Sequence, residues 1–193
     1  MNYFYLSFFW IAYFFFHSIF AMNAVKNYFF SVGMKPQVYR LIYVIFATST
    51  LVAILLYSAM ISSEYIFHPG KLLKFSGLLL AGWGLIIAKK GFKSYDTKAF
   101  LGFGNLDPEN EFKTDGLLQK VRHPLYSGSI LLILGYFLFN PKVSTFITVS
   151  MMILYFIIGI YFEEKKLIKA FGQKYIDYKK KTPMLIPKFW KKS

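Results

Sequence analysis

LYSGSILLILGYFLF-NPK-VSTFITVSMMILYFIIGIYF, residues 125–162, decides the architecture of this chain. Two apolar runs, Leu125 to Phe139 and Val143 to Phe162, are separated only by Asn140-Pro141-Lys142. Proline cannot continue a helix and disfavours helix in the residue before it, so the chain must turn there. A connection this short admits only an antiparallel hairpin. The second run has 20 residues, enough to cross a hydrocarbon layer of about 30 Å, and the first has 15, short for a span. Together they predict two helices folded back on each other across a membrane.

Working outward, three more apolar runs appear. Tyr3 to Met22 and Leu41 to Ser63 are 20 and 23 residues long, with His17 the one ionisable group of the acid–base range in them. Leu72 to Ala88 is adequate if Lys74 snorkels to the surface. The expectation is an all-α integral membrane protein, one domain over 1–193. Its five spans fall at about 3–22, 41–63, 72–88, 125–139 and 143–162. Composition agrees: 56% of the chain is apolar, 21% aromatic and 17% charged, where a soluble domain carries about a quarter charged residues. Gly77, Gly82 and Gly84 in the third run would let another backbone approach closely.

A net charge of +14 would suggest nucleic acid on a soluble protein, but its placement points to the bilayer instead. The segment between the first two runs holds 3 basic residues, Lys89 to Arg122 holds 7 and the chain after Phe162 holds 10, whereas Lys71, Lys74 and Lys142 alone fall on the other side. The positive-inside rule then puts the N-terminus outside and the C-terminus in the cytoplasm. After Glu163, the pattern Leu167, Ile168, Phe171, Tyr175, Tyr178 predicts a helix lying along the cytoplasmic interface. The lysines from Lys179 to Lys192 fit contact with anionic lipid. There is no cysteine, no P-loop and no H-E-x-x-H, and three scattered histidines do not make a metal site.

Two clusters could carry chemistry. Arg122-His123-Pro124-x-Tyr126 stands where the fourth helix begins. Pro124 suits a first helical turn, the helix N-terminus offers N–H groups to an anion, and Arg122 adds a fixed cationic fork. Glu163-Glu164 lies at the end of the fifth run. Because the two runs form a hairpin, these clusters meet at one membrane face. The resulting pocket suits a zwitterion, with its carboxylate toward Arg122 or the helix N-terminus and its ammonium toward a glutamate. His123 is the imidazole at hand should an acceptor need to lose a proton. Taken alone, each cluster also has a bland reading: an interfacial helix start, and glutamates paired with lysines one turn on. His17 reads first as a neutral histidine hydrogen-bonded between helices, with a place in an acceptor channel as the functional alternative.

The stretch RHPLYSG at 122–128, followed by EEKKLIKAFGQKYIDYKKKTPMLIP at 163–187, resembles the isoprenylcysteine carboxyl methyltransferase and phospholipid methyltransferase superfamily over roughly the C-terminal 80 residues. HSIFAMNAVK at 17–26 and SYDTKAFLGFGN at 94–105 are similar to the bacterial branch of NnrU-like proteins and methanethiol S-methyltransferases. The resemblance implies S-adenosylmethionine as methyl donor, bound in a pocket built from 94–126 and 163–187 of a bacterial cytoplasmic-membrane protein. It implies Asn105, Leu118, His123, Pro124, Leu125, Tyr126, Glu163 and Glu164 as cofactor-binding residues, with Arg122 and His123 catalytic. Leu118 stands where relatives often have Tyr, and Asn105 in place of a loop glutamine. Isoprenylcysteine enzymes place an acceptor-binding Arg four residues before the first glutamate, where this chain has Gly159. The acceptor implied is small or lipid-like: a thiol, a carboxylate or an amine. Two alternatives stay open, an NADPH-dependent membrane reductase related to sterol reductases and a non-catalytic NnrU-like membrane protein.

Overall fold

The structure is a computed structural model that describes residues 1–92, 112 and 114–187. Its regular elements are helices: α1 (Asn2–Ala21), α2 (Asn23–Ser31), α3 (Pro36–Met60), α4 (Lys71–Phe92), a short 3-10 turn (Gly116–Gln119), α5 (Pro124–Phe139), α6 (Val143–Phe171) and α7 (Gln173–Lys181). Four of them, α1, α3, α4 and α6, are long and apolar enough to cross a membrane. The fifth expected span, α5, is apolar but has 16 residues, about 24 Å at 1.5 Å per residue. Two boundaries differ from the sequence reading. α3 begins at Pro36, because proline suits the first helical turn and Lys35 stands extended before it. α6 runs on through Glu163 to Phe171, so the expected interfacial helix is reduced to α7, set off by Gly172 at φ +56°.

The chain divides into two compact units, and α6 contributes to both. In the first (1–68 with 141–151), Leu6 and Trp10 of α1 are fully buried, as are Ser144, Thr145 and Thr148 at the start of α6. Buried polar groups must find partners, and these do. Trp10 Nε1 donates to Thr148 Oγ1 at 3.2 Å, and Ser58 Oγ lies 3.0 Å from the same hydroxyl. Tyr3 donates to Ser63 Oγ, which also accepts the Ser144 N–H. α1 and α3 otherwise meet through rings, Phe9 on Tyr57 and Phe20 on Phe46, each edge to face. Bulky side chains hold the backbones apart and leave an apolar cleft of about 390 Å³ lined by residues such as Phe9, Phe16, Phe46 and Tyr57. His17 is held by the Tyr43 hydroxyl, 3.1 Å from Nε2, and lies against the Tyr13 ring.

The second unit has the opposite construction. α4 and α5 pack with Gly77 facing Gly135 and Gly84 facing Gly128. A Cβ at Gly84 would stand 2.5 Å from Leu132 N and 2.6 Å from the Gly128 carbonyl, and one at Gly77 2.7 Å from the Gly135 carbonyl. Gly91 continues the row against Leu125 N. Gly77, Gly84 and Gly91 are seven apart, two helical turns, so they share one face. Gly82, expected in this contact, faces open space instead, because five residues rotate it well off that face. Farther along the unit, Tyr126 of α5 meets Phe156 of α6 edge to face, with its hydroxyl 3.4 Å from where a Cβ of Gly159 would stand. α5 and α6 are therefore antiparallel neighbours, as the hairpin reading requires.

Candidate active site

α6 has 29 residues, about 44 Å, against roughly 20 residues for a hydrocarbon core, and its charged side chains all lie in the overhang from Glu163 to Phe171. On this overhang the two sequence clusters come together. Arg122 Nε and Nη2 both reach Glu164 Oε1 at 2.8 Å. His123 Nε2 lies 3.2 Å from that oxygen, and Lys179 Nζ is 2.5 Å from Oε2. Arg122 Nη1 donates to the carbonyls of Lys179 and Thr182. Glu164 thus joins three cationic or donor groups, two from the residues just before α5 and one from α7. Its side chain is 8% exposed. Burial pushes its carboxyl up, but hydrogen bonds from Lys179, His123 and Arg122, with the Arg122 charge, outweigh that and hold it at about 2.

The adjacent glutamate is differently placed. Glu163 keeps 32% of its side chain exposed, and Oε2 stands 3.8 Å from His123 Nδ1, beyond hydrogen-bond length. His123 itself is 4% exposed, so its ring is fixed between two carboxylates. Glu164, ionised, can only accept, so Nε2 is the nitrogen that donates to it, and Nδ1 faces Glu163. The Tyr126 ring closes the imidazole from a third side, 5.8 Å between centroids and edge to face.

The chain beyond α7 is a strap that sequence reasoning missed. Pro183 ends helix-forming chain, and the carbonyls that follow turn back on the start of α5. Arg122 N donates to Pro183 O at 2.9 Å, His123 N to Met184 O at 3.1 Å, and Ser127 Oγ to Leu185 O at 2.7 Å. The two N–H groups just before Pro124 are therefore engaged by the protein's own backbone rather than open to an anion. No side-chain pattern marks this role, because the strap contributes carbonyls that any residue carries. Lys179 was read as lipid contact and instead is drawn inward to Glu164.

Beside the clamp lies an aromatic group: Phe112 against Phe171, Tyr175 and Tyr178, at 5.2 to 5.8 Å between centroids. Tyr178 donates to the Leu118 carbonyl at 2.6 Å, so Leu118 takes part through its backbone. Tyr175 is 1% exposed and its hydroxyl makes no hydrogen bond among the described residues. Burial first, then the Glu164 charge, raise it well above the usual phenol range. Pro124 is buried under the strap, and Leu125 N backs the α4 seam at Gly91. Asn105 lies outside the described residues. Among the described residues no group of three or more His, Asp or Glu could hold a metal.

The site is thus a buried imidazole between two carboxylates, in a chain with four helices long and apolar enough to cross a membrane. The sequence profile of the phospholipid methyltransferase family matches residues 72–174, just over half of the chain, and the chain belongs to that family. Among curated proteins it is similar to the methanethiol S-methyltransferase of Crocosphaera subtropica, 40% identical over 43% of this chain and 32% of the relative. It is also similar to that of Pseudomonas deceptionensis, 32% identical over 57% of this chain and 44% of the relative. Methanethiol S-methyltransferase 1 of Bradyrhizobium diazoefficiens is 28% identical over 92% of this chain and 63% of the relative. The chain spans less than two thirds of the length of these relatives. No solved structure matches it.

Proposed function

We propose that this membrane methyltransferase moves a methyl group from S-adenosylmethionine to a small apolar thiol. The observation that carries the reading is the buried His123 ring, whose Nε2 is engaged by Glu164 and whose Nδ1 faces the half-exposed Glu163. A thiol is a poor nucleophile until it loses its proton, so this acceptor needs a base where a carboxylate does not. His123 Nδ1 takes that proton, Glu164 holds the ring in the tautomer that can receive it, and Glu163 balances the positive charge the ring gains. Gly159 offers no cation to an anionic acceptor, and the relatives' names speak for a thiol.

The residues fit the donor in part. Glu163 is placed to meet its ammonium, and the Tyr175 hydroxyl, without a hydrogen bond among the described residues, offers a buried polar contact. Arg122 is tied to Glu164 and to two carbonyls, so it acts by holding the site together rather than by receiving the donor's carboxylate. When bound, the donor supplies an electrophilic methyl on a sulfonium. What the chain adds is alignment and exclusion of water. The basic residues flanking the site support a cytoplasmic position for it, and the reading takes α5 as the fifth span of a bacterial inner-membrane protein.

The reading is tested by calorimetry of S-adenosylhomocysteine on detergent-purified protein, with Glu163→Gln and His123→Gln alongside. Binding that falls at least tenfold in Glu163→Gln is expected. His123→Gln should keep most of the binding and lose methylation of methanethiol by a hundredfold or more, within the range general bases contribute. NADPH binding in place of S-adenosylhomocysteine would overturn the methyltransfer reading.

A further inference from the structure

On α6, Tyr161 and Phe162 are exposed and are followed at once by the exposed Lys165, Lys166 and Lys169. At 100° per residue, Phe162, Lys165, Lys166 and Lys169 fall within roughly 100° of one another, on the side of the helix away from Glu164. Lys165 Nζ stands 4.4 Å over the Tyr161 ring. Among the described residues no acidic side chain shares this face: Glu163 and Glu164 turn toward His123, and Asp177 pairs with Lys180 and Gln173 on α7.

We infer that this face is a binding surface for anionic phospholipid headgroups. Aromatic rings settle at the boundary between hydrocarbon and headgroups, which sets the depth of Tyr161 and Phe162. Lys165 and Lys166 then rise about 5–6 Å beyond Phe162, and Lys169 about 10 Å. The headgroup layer is itself about 5–8 Å deep, so the first two lysines lie at phosphate level and the third at its outer edge. The ammonium over Tyr161 is held near the ring plane of the boundary rather than out in solvent. Three cations with no acidic partner among the described residues favour an anionic headgroup over a zwitterionic one, whose own ammonium would be repelled. The opposite face of the same turns carries Glu163 and Glu164, so a bound lipid stiffens the helix on which the polar site is built.

The test uses delipidated full-length protein in neutral detergent, titrated with phosphatidylglycerol or phosphatidylcholine and followed by its melting temperature. Phosphatidylglycerol should raise the midpoint in a salt-sensitive manner and phosphatidylcholine should not. A lysine near an anionic surface contributes about a fivefold change in affinity, so the combined Lys165→Gln, Lys166→Gln, Lys169→Gln variant should bind phosphatidylglycerol up to about a hundredfold more weakly. Single Lys169→Gln, at an exposed position, should lose about fivefold and melts normally without lipid. Equal stabilisation by both lipids overturns the inference. So does loss of the effect only in a Lys174→Gln, Lys180→Gln, Lys181→Gln variant, which would move the surface to α7. S-adenosylhomocysteine affinity in lipid-free detergent stays unchanged in all these variants, which separates this outcome from failure of the methyltransfer reading.

Discussion

α4 and α5 meet backbone to backbone, whereas α1 and α3 meet ring to ring. In the first contact the neighbour of each missing side chain is a peptide group, which cannot step aside. In the second it is the end of an aromatic side chain that can change rotamer, and a cleft already lies beside it. Without a hydrophobic drive between helices in lipid, close approach and interlocking rings are two separate ways of gaining van der Waals contact. The rigid version runs the length of α5, the helix that His123 caps. The adaptable version lines an apolar cleft. Precision of placement is thus concentrated in the unit that holds the charged residues.

The largest expected effect tests the rigid contact. Gly84→Leu should cost roughly 3 kcal/mol or more, at or beyond the upper end for overpacking, because the obstruction is backbone. Melting in detergent, with the yield of monodisperse protein, reads it. A variant as stable as the parent would mean that α4 and α5 can separate, and the contrast with α1 and α3 would go.

Next comes the clamp that α5 feeds. Glu164→Ala leaves Arg122 and Lys179 without their shared counter-charge and should cost about 3–5 kcal/mol, the range for breaking a buried pair. The same group sets an acid limit. Its folded carboxyl is held at about 2 against an ordinary 4.5, so it adds stability above pH 4.5 that is lost as pH falls toward 2. Glu164→Gln should flatten the loss of stability across that window, measured as melting temperature against pH.

The adaptable contact should respond weakly. Phe46→Leu keeps an apolar side chain beside the cleft and should cost less than about 1.5 kcal/mol. The smallest effect belongs to Gly82→Ala, on the same helix as Gly84 but facing open space. It should change stability by no more than about 1 kcal/mol, in the stabilising direction, since alanine is the better helix former. Comparable damage from Gly82→Ala and Gly84→Ala would show that helix propensity, not the approach of α5, governs α4.

Much of the fold was legible because apolar length and Pro141 act locally. The hairpin of α5 and α6, the four long helices and the convergence of Arg122-His123 on Glu163-Glu164 all follow from run lengths and one turn. The glycines were read as a packing face, but which of them meet α5 was not, since Gly77, Gly84 and Gly91 are selected by the register of the partner helix. The two glutamates, identical as neighbours in sequence, could not be told apart.

The sequence by itself determined that the chain is a helical membrane protein, where it turns and which end is basic, because hydrophobic length and charge are properties of the chain before it folds. Only the tertiary structure decided that Glu164 is closed within a clamp while Glu163 stays half open, that Lys179 is drawn inward, and that the carbonyls of Pro183 to Leu185 strap the start of α5. Each of those depends on what approaches from a distant part of the chain, and a backbone carbonyl carries no mark in the sequence that says which N–H it will meet.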